Sequence, residues 1–388
     1  MNKKVLFAAA NHWTSPYHVG SHELTKQFIK DGWDVAFISD PVSPLHYAER
    51  KNTLIQERFR IWKTGGEYYL NKKLWTYVPF SIFTPHNKPF LSSKFVFSNW
   101  HKFTSPNIFN KLQSEGFDKV DLIYIDSISQ YFWLDYIKCK KSVLRVADKN
   151  SGFNKFSNSS KLFEQKLVSS VDLVVYSAKN LSSYVESYSP NKSLFLPNGV
   201  DFDHFYNGSR DLPKELSSIP APRIIYVGAI DTWFDSNLID LASKKLPGFS
   251  FILIGSPNKE ANALQRNKNV HILGPKHYNE LPRYLYNSDV AIIPFNVNEY
   301  PDLVNSINPL KLYQYLACGL PVIACRWDEL EGINSPAYLY NSEKEFINTL
   351  ESIVEKDIDK AKLVEFSRQN DWENKFSLLS DHLDLQNL

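Results

Sequence analysis

The sequence predicts an α/β protein built as two doubly wound halves, each around a parallel sheet, and three observations predict it. Short apolar runs rich in Val, Ile and Phe alternate with helix-length amphipathic segments, the pattern of βα units around a parallel sheet. A length of 388 residues fits two domains of ordinary size better than one. Between the halves, residues 207–222 carry Gly208, Pro213, Pro220 and Pro222 among polar side chains, the composition of a linker.

In chain order, the first strand is expected at Val5–Ala9. Its apolar run is shorter than the core of a signal peptide, and Asn11-His12-Trp13 follows at once. Further strands are expected at Asp34–Ser39, Leu122–Ile125, Val143–Ala147, Leu173–Tyr176 and Leu194–Leu196, with helices between most of them and Gly32 suited to a helix end. These make a first domain over 1–206. After the linker the pattern restarts at Ile224–Val227, Phe251–Ile254, Val270–Leu273, Val290–Pro294 and Pro321–Ala324, a second domain over 223–370. Asp371-Trp372-Glu373 then opens a last amphipathic segment, 371–388. Ligands of open α/β sheets bind beyond the carboxyl ends of the strands, so the active site is expected between the halves.

Composition narrows the class. Hydrophobic residues at 43 % and charged residues at 22 % exclude a disordered chain, and a net charge of +2 excludes nucleic acid as the partner of the whole chain. Cys139, Cys318 and Cys325 have no metal-ligand spacing and suit free thiols in a reducing, cytoplasmic setting. No run of about 18 apolar residues is present, so membrane contact is expected only at the periphery, on the inner face of the cell membrane. One stretch breaks the βα pattern. From Arg58 to Phe103 there are eight Lys or Arg, one acidic residue and 13 aromatics. This inserted segment reads either as a surface for an anionic membrane or a pyrophosphate-linked lipid, through Lys72, Lys73, Trp75, Phe80 and Phe83, or as a subdomain with an aromatic core.

Chemistry is most concentrated in the second half. Residues 305–324 combine a polar loop, Asn308 and Pro309 before an amphipathic helix, a glycine cap and a strand. The helix start offers unpaired N–H groups to a phosphate, Lys311 adds full charge, and Gln314 shares its face. Gly228, after the first strand of this half, allows close backbone approach to phosphate or is an ordinary turn glycine. In the first half, Asp148 follows a strand end and suits either a general base that takes a hydroxyl proton or a cap of the next helix or loop, and Asp126, which ends the preceding strand in the same way, is the competing base. His12, His18 and His22 follow the first strand, where they suit acceptor contacts. Asp201-Phe202-Asp203 invites a divalent metal reading but also reads as a turn.

The strings PLKLYQYLACGLPVIA (309–324), LPNGVDFDHF (196–205), IIYVGAIDTWFD (224–235) and NVHILGPKHYNELPRYLYNSDVAIIPF (269–295) resemble the nucleotide-sugar half of GT-B glycosyltransferases. The resemblance implies two Rossmann-like domains and a C-terminal helix crossing back to the first, the segment from Trp372. It also implies that Lys276 and His277 lie where such enzymes hold the nucleotide base, and that Asp201–Asp203 is an interdomain turn rather than a metal site. Retaining members carry two glutamates where this chain has Ser306 and Gln314. The lysine-then-glutamine pattern is similar instead to the inverting, xanthan-type β-glucuronosyltransferase group, whose catalytic aspartate string resembles LRVADKNSG (144–152), matching Arg145 and Asp148. TSPYHVGSH (14–22) resembles that group's first loop, matching Pro16 and His22.

The expectation is therefore an inverting, metal-independent glycosyltransferase without a cofactor, moving a sugar from a nucleoside-diphosphate donor, a UDP-sugar by resemblance. The acceptor is a glycan or lipid-linked oligosaccharide of surface polysaccharide synthesis. Asp148 is the base. Gly228, Lys276, His277, Asn308, Pro309, Lys311 and Gln314 bind donor, and His18, His22 and Asp126 bind acceptor. The alternatives are a retaining GT-B transferase, a sugar-nucleotide epimerase that needs no acceptor, and a subunit that binds sugar nucleotide without turnover.

Overall fold

The computed structural model describes residues 2–49, 51–152 and 157–388. The chain forms two compact units, Met1–Pro197 with Phe376–Leu388, and Asn198–Lys375.

The first unit is an eight-stranded sheet of β1 (Lys4–Ala9), β2 (Asp34–Ser39), β3 (Glu67–Tyr69), β4 (Leu74–Tyr77), β5 (Leu122–Ile125), β6 (Lys141–Val146), β7 (Leu173–Tyr176) and β8 (Ser193–Phe195), in the order β3-β4-β2-β1-β5-β6-β7-β8. All neighbours run parallel except the β3–β4 hairpin. Val5 to Ala9 are fully buried because β1 is central and covered on both faces, which is why it reads as a continuous apolar run. Phe7 packs against Phe28, Phe37 and Tyr124.

The stretch 58–103 is not an insertion beside this sheet. β4 pairs in parallel with β2, matching Val35 to Leu74 and Ile38 to Tyr77. Trp75, Tyr77 and Trp100 are 1 %, 0 % and 0 % exposed, and Lys73 is tied to Asp34 at 2.9 Å. A four-residue strand buried on both faces has no alternation, and Asn71-Lys72-Lys73 before it masks it as loop. Trp75 is thereby removed from any surface role, and Lys73, though partly exposed, is paired with Asp34.

The second unit is a six-stranded, wholly parallel sheet of β9 (Arg223–Val227), β10 (Ser250–Ile254), β11 (Val270–Ile272), β12 (Val290–Ile293), β13 (Val322–Cys325) and β14 (Tyr338–Tyr340), ordered β11-β10-β9-β12-β13-β14. Its start differs from the expected boundary. Phe202 and Phe205 lie in its core, and so do Leu216 and Ile219 of the stretch that reads as a linker. Arg223 fixes that stretch by donating to the carbonyls of Ile219 and Leu216. The helix Trp372–Leu383 begins in the second unit and passes to the first at Phe376, which meets Phe28 edge-on at 4.9 Å. Lys3 Nζ donates to the carbonyls of Leu385 and Gln386 at 2.7 and 2.9 Å. The three cysteines are unpaired, and among the described residues no helix is long and apolar enough to cross a membrane.

Candidate active site

At the carboxyl edge of the first sheet, Asp148 stands two residues beyond the end of β6. Burial and the nearby Asp126 carboxylate raise its pKa to about 6, against the opposing pull of Arg145. Its carboxylate takes no hydrogen bond from the described residues, so its lone pairs are open to a substrate proton. Asp126, at the end of β5, is also raised by burial, but Ser21 Oγ donates to its Oδ2 at 2.7 Å. Of the two, Asp148 is the less engaged and the better placed to accept a proton. Arg145 is 5 % exposed, and its guanidinium lies against Gly20, the first residue of the helix Gly20–Lys30. A Cβ at Gly20 would lie 2.5 Å from Arg145 Cζ. Gly20→Ala is therefore expected to push the guanidinium away from the carboxylates, raising the Asp148 pKa further. The acid limb of the pH–rate profile should move to higher pH, while circular dichroism stays native.

The histidines divide. His22 is fully buried, with Nδ1 accepting from the Val19 N–H at 3.3 Å and Nε2 donating to the His12 carbonyl at 3.0 Å. Burial, with the neighbouring His18, pushes its pKa down to about 3, so it is a neutral brace for the first loop and has no nitrogen left for an acceptor. His18 stacks on it at 4.8 Å and pairs with Glu23 at 3.5 Å. The sequence hides a further cluster here. Asp40, directly after β2, receives Ser127 Oγ and Ser129 Oγ at 2.7 Å and Gln130 Nε2 at 3.3 Å, all on Oδ1. Arg58 reaches the same turn, donating to the carbonyls of Asp40 and Pro41 at 2.8 and 3.1 Å. These partners are up to 90 residues apart in sequence, so no local motif announces them.

In the second unit the carboxyl edge presents a cation in an uncharged cage. Lys311 is in the first turn of the helix Leu310–Ala317, whose preceding residue, Pro309, supplies no side-chain cap to the open N–H groups. Lys311 Nζ donates to Tyr226 Oη at 2.9 Å and lies 4.2 and 4.7 Å from the ring centres of Tyr226 and Phe295. Gly228 has φ +144°, and a Cβ there would stand 2.8 Å from Lys311 Nζ, so this turn needs glycine. Asn308 is 3 % exposed. Its Oδ1 accepts from Tyr313 Oη at 3.0 Å, its carbonyl accepts from Asn198 at 2.6 Å, and its buried Nδ2 has no partner among the described residues. Gln314, three residues after Lys311, shares the partly exposed face of that helix. Tyr226 and Phe295 belong to this clamp but read in sequence only as strand-core aromatics.

Two predicted donor contacts are differently engaged. Lys276 Nζ pairs with Glu215 at 2.9 Å, which neutralises its charge and holds Glu215 down at about 2. His277 is exposed and caps its own short turn, its Nδ1 accepting from the Asn279 N–H. Asp201 caps the helix Phe202–Tyr206, and among the described residues no group of three or more His, Cys, Asp or Glu is arranged to hold a metal ion. Ser306 is buried and donates to the Leu303 carbonyl, so neither it nor Gln314 supplies a carboxylate beside Lys311.

Comparison with known proteins matches both halves. The family described as glucuronosyltransferase GumK, N-terminal domain, matches residues 7–177, and glycosyl transferases group 1 matches residues 221–356. The chain is 23 % identical over 240 residues to the putative teichuronic acid biosynthesis glycosyltransferase TuaH of Bacillus subtilis, covering 58 % of this chain and 59 % of that one. It is 24 % identical to D-inositol 3-phosphate glycosyltransferase of Mycolicibacterium smegmatis, over 42 % of this chain and 39 % of that one. Among solved structures, sucrose-phosphate synthase of Thermosynechococcus elongatus superposes with a TM-score of 0.70 at 14 % identity, covering 99 % of both chains. Anabaena HepE in complex with UDP and glucose gives 0.65 at 13 % identity, covering 99 % of this chain and 100 % of that one. At such identities the structural likeness establishes the GT-B fold.

Proposed function

We propose that this GumK-like GT-B glycosyltransferase chain moves a sugar from a UDP-sugar to a hydroxyl of a glycan or lipid-linked oligosaccharide, with inversion at the anomeric carbon. The observation that carries the reading is the Lys311 clamp. An amine with no carboxylate partner among the described residues, an uncapped helix start and a glycine turn meet at one sheet edge, which suits a diphosphate leaving group. HepE, of like fold, is recorded with UDP-glucose, which supports the choice of donor. Asp148 is the matching base. Its lone pairs are open, and with a pKa of about 6 it is ionised at neutral pH yet basic enough to draw a proton from an attacking hydroxyl. The absence of a carboxylate at Ser306 and Gln314 favours inversion over retention. Thermal-shift measurement with UDP-, GDP-, dTDP- and CMP-linked sugars tests the donor: a ligand at a hundred times its Kd stabilises the fold by about 2.7 kcal/mol. No shift with any of them at millimolar concentration would remove this reading. NMR of the product's anomeric proton separates inversion from retention, and conversion of donor without acceptor would mark an epimerase.

The acceptor is proposed to be presented at the inner face of an anionic membrane, through the part of the 58–103 stretch around Phe83 rather than through Trp75. Ile82, Phe90, Phe95 and Phe103 are 61 %, 62 %, 53 % and 40 % exposed, and the three phenylalanines gather around Phe83 at 6.3, 6.2 and 4.7 Å. Lys88, Lys94 and Lys102 are exposed beside them in sequence. A lysine near an anionic surface contributes about 1 kcal/mol, so replacing all three with serine should weaken binding to phosphatidylglycerol vesicles roughly a hundredfold. Unchanged flotation, or equal flotation with neutral vesicles, would count against membrane docking.

A further inference from the structure

We infer that Lys311 stands without a counter-charge until the donor arrives, and that binding of the donor diphosphate is accompanied by uptake of a proton at its Nζ, with Tyr226 as the residue that positions it. This rests on the donor site proposed above and adds a coupling that site does not by itself require.

The geometry carries the inference. The surroundings of Lys311 can be taken element by element. From β9 the facing titratable group is Tyr226, whose hydroxyl accepts from Nζ at 2.9 Å and donates to the Ala229 carbonyl at 2.7 Å. The turn that follows offers only the backbone of Gly228. From the end of β12 the neighbour is the Phe295 ring, which does not titrate. On its own helix Tyr315 is engaged elsewhere, its hydroxyl bonded to the N–H and carbonyl of Val227 at 2.7 and 3.2 Å. Among the described residues no Asp or Glu forms an ion pair with Lys311. Two ring faces and one hydroxyl are weak compensation for an ammonium taken out of water. Consistent with that, burial alone lowers the Lys311 pKa to about 7. A diphosphate diester carries two charges that do not titrate near neutrality. Set against Nζ, it favours the charged amine and raises its pKa. Tyr226 ties the amine to the Gly228–Ala229 turn, so Nζ waits over the glycine where the phosphate backbone can approach.

The test is calorimetric titration of the whole chain with UDP-glucose, whose diester adds no proton of its own, in buffers of different ionisation enthalpy. At about pH 8 the dependence of heat on buffer should report close to one proton taken up per ligand, falling towards zero at about pH 6. Lys311→Arg keeps a charge at every accessible pH and should bind UDP-glucose with no uptake. Lys311→Met should bind weakly, also with no uptake. Tyr226→Phe should lower the pH at which uptake begins, a change that a purely structural loss of the hydroxyl would not produce. Binding by the wild type with no buffer dependence at pH 8 overturns the inference and leaves the donor site standing. Uptake undiminished in Lys311→Arg places the proton elsewhere and overturns it too. Failure of UDP-glucose to bind at millimolar concentration removes the UDP-donor reading, and the coupling with it.

Discussion

Asp148→Asn is expected to lower kcat by about 10³-fold while leaving the affinity for UDP-glucose unchanged, because one unit holds the base and the other holds the donor clamp. Asparagine keeps the shape and removes the proton-accepting oxygen. In the wild type, log kcat/KM should rise with unit slope up to about pH 6 as the base ionises, and fall again above about pH 7 as Lys311 loses the proton the donor requires. The same substitution should stabilise the fold. The carboxyl titrates at about 6 in the native state and at 3.8 unfolded, so between those values the native state binds more protons than the unfolded chain. Stability therefore falls as pH rises through that window and stays lower above it. Asp148→Asn should recover on the order of 3 kcal/mol at pH 8 and nothing below about pH 4, read by chemical denaturation. A variant that is inactive and less stable at pH 8 would identify Asp148 as a structural residue.

Lys311→Met is expected to weaken UDP-glucose binding about 10–100-fold, the loss of a charge-assisted contact, and to lower kcat by a further ~10² through lost stabilisation of the departing diphosphate. Methionine suits the gap between the Tyr226 and Phe295 rings, so the fold should persist. The stability effect has the opposite pH sense to that of Asp148. Lys311 titrates at about 7 in the native state and 10.5 unfolded, so the unfolded chain binds the extra proton between those values and stability rises with pH across them. The gain from Lys311→Met should be greatest at and below pH 7 and vanish near pH 10.5. Two inactive variants with opposite pH dependence of stability would show that both groups are held in native states that disfavour their charge. Such a conflict is expected where a site is built for a partner the free chain lacks.

What the sequence disclosed, and what it did not, follows from range. Val5–Ala9 and Ile224–Val227 were legible because central strands of a parallel sheet are apolar on both faces. The placement of Lys311 at a helix start and of Gly228 in a strand-end turn was legible because both features are local. That Asp148 follows a strand was legible too, although its relation to Asp126 and Arg145 depends on strand order. β4 was not, since its partner β2 lies some 40 residues earlier and Trp75 reads equally as a surface aromatic. His22 was misread for a different reason: its partners lie only three and ten residues away, but a histidine in a polar stretch gives no sign that both nitrogens will be taken by backbone groups. The Asp40 cluster and the Lys276–Glu215 pair are side-chain meetings across long sequence separations, which neither periodicity nor spacing can register.

The C-terminal residues that complete the first unit set the order in which the protein can be made. A ribosome emits residues 1–197 and then the whole of the second unit before it reaches Phe376. At about 5–20 residues per second the first unit spends on the order of 10–40 seconds without its last element. During that time Phe28 lacks the ring that covers its edge, and Lys3 lacks the two carbonyls that hold it. The second unit is contiguous and can finish first. The nascent chain thus carries an open seam in its first unit until residues 376–388 emerge, which is the interval in which a chaperone would find apolar surface to hold.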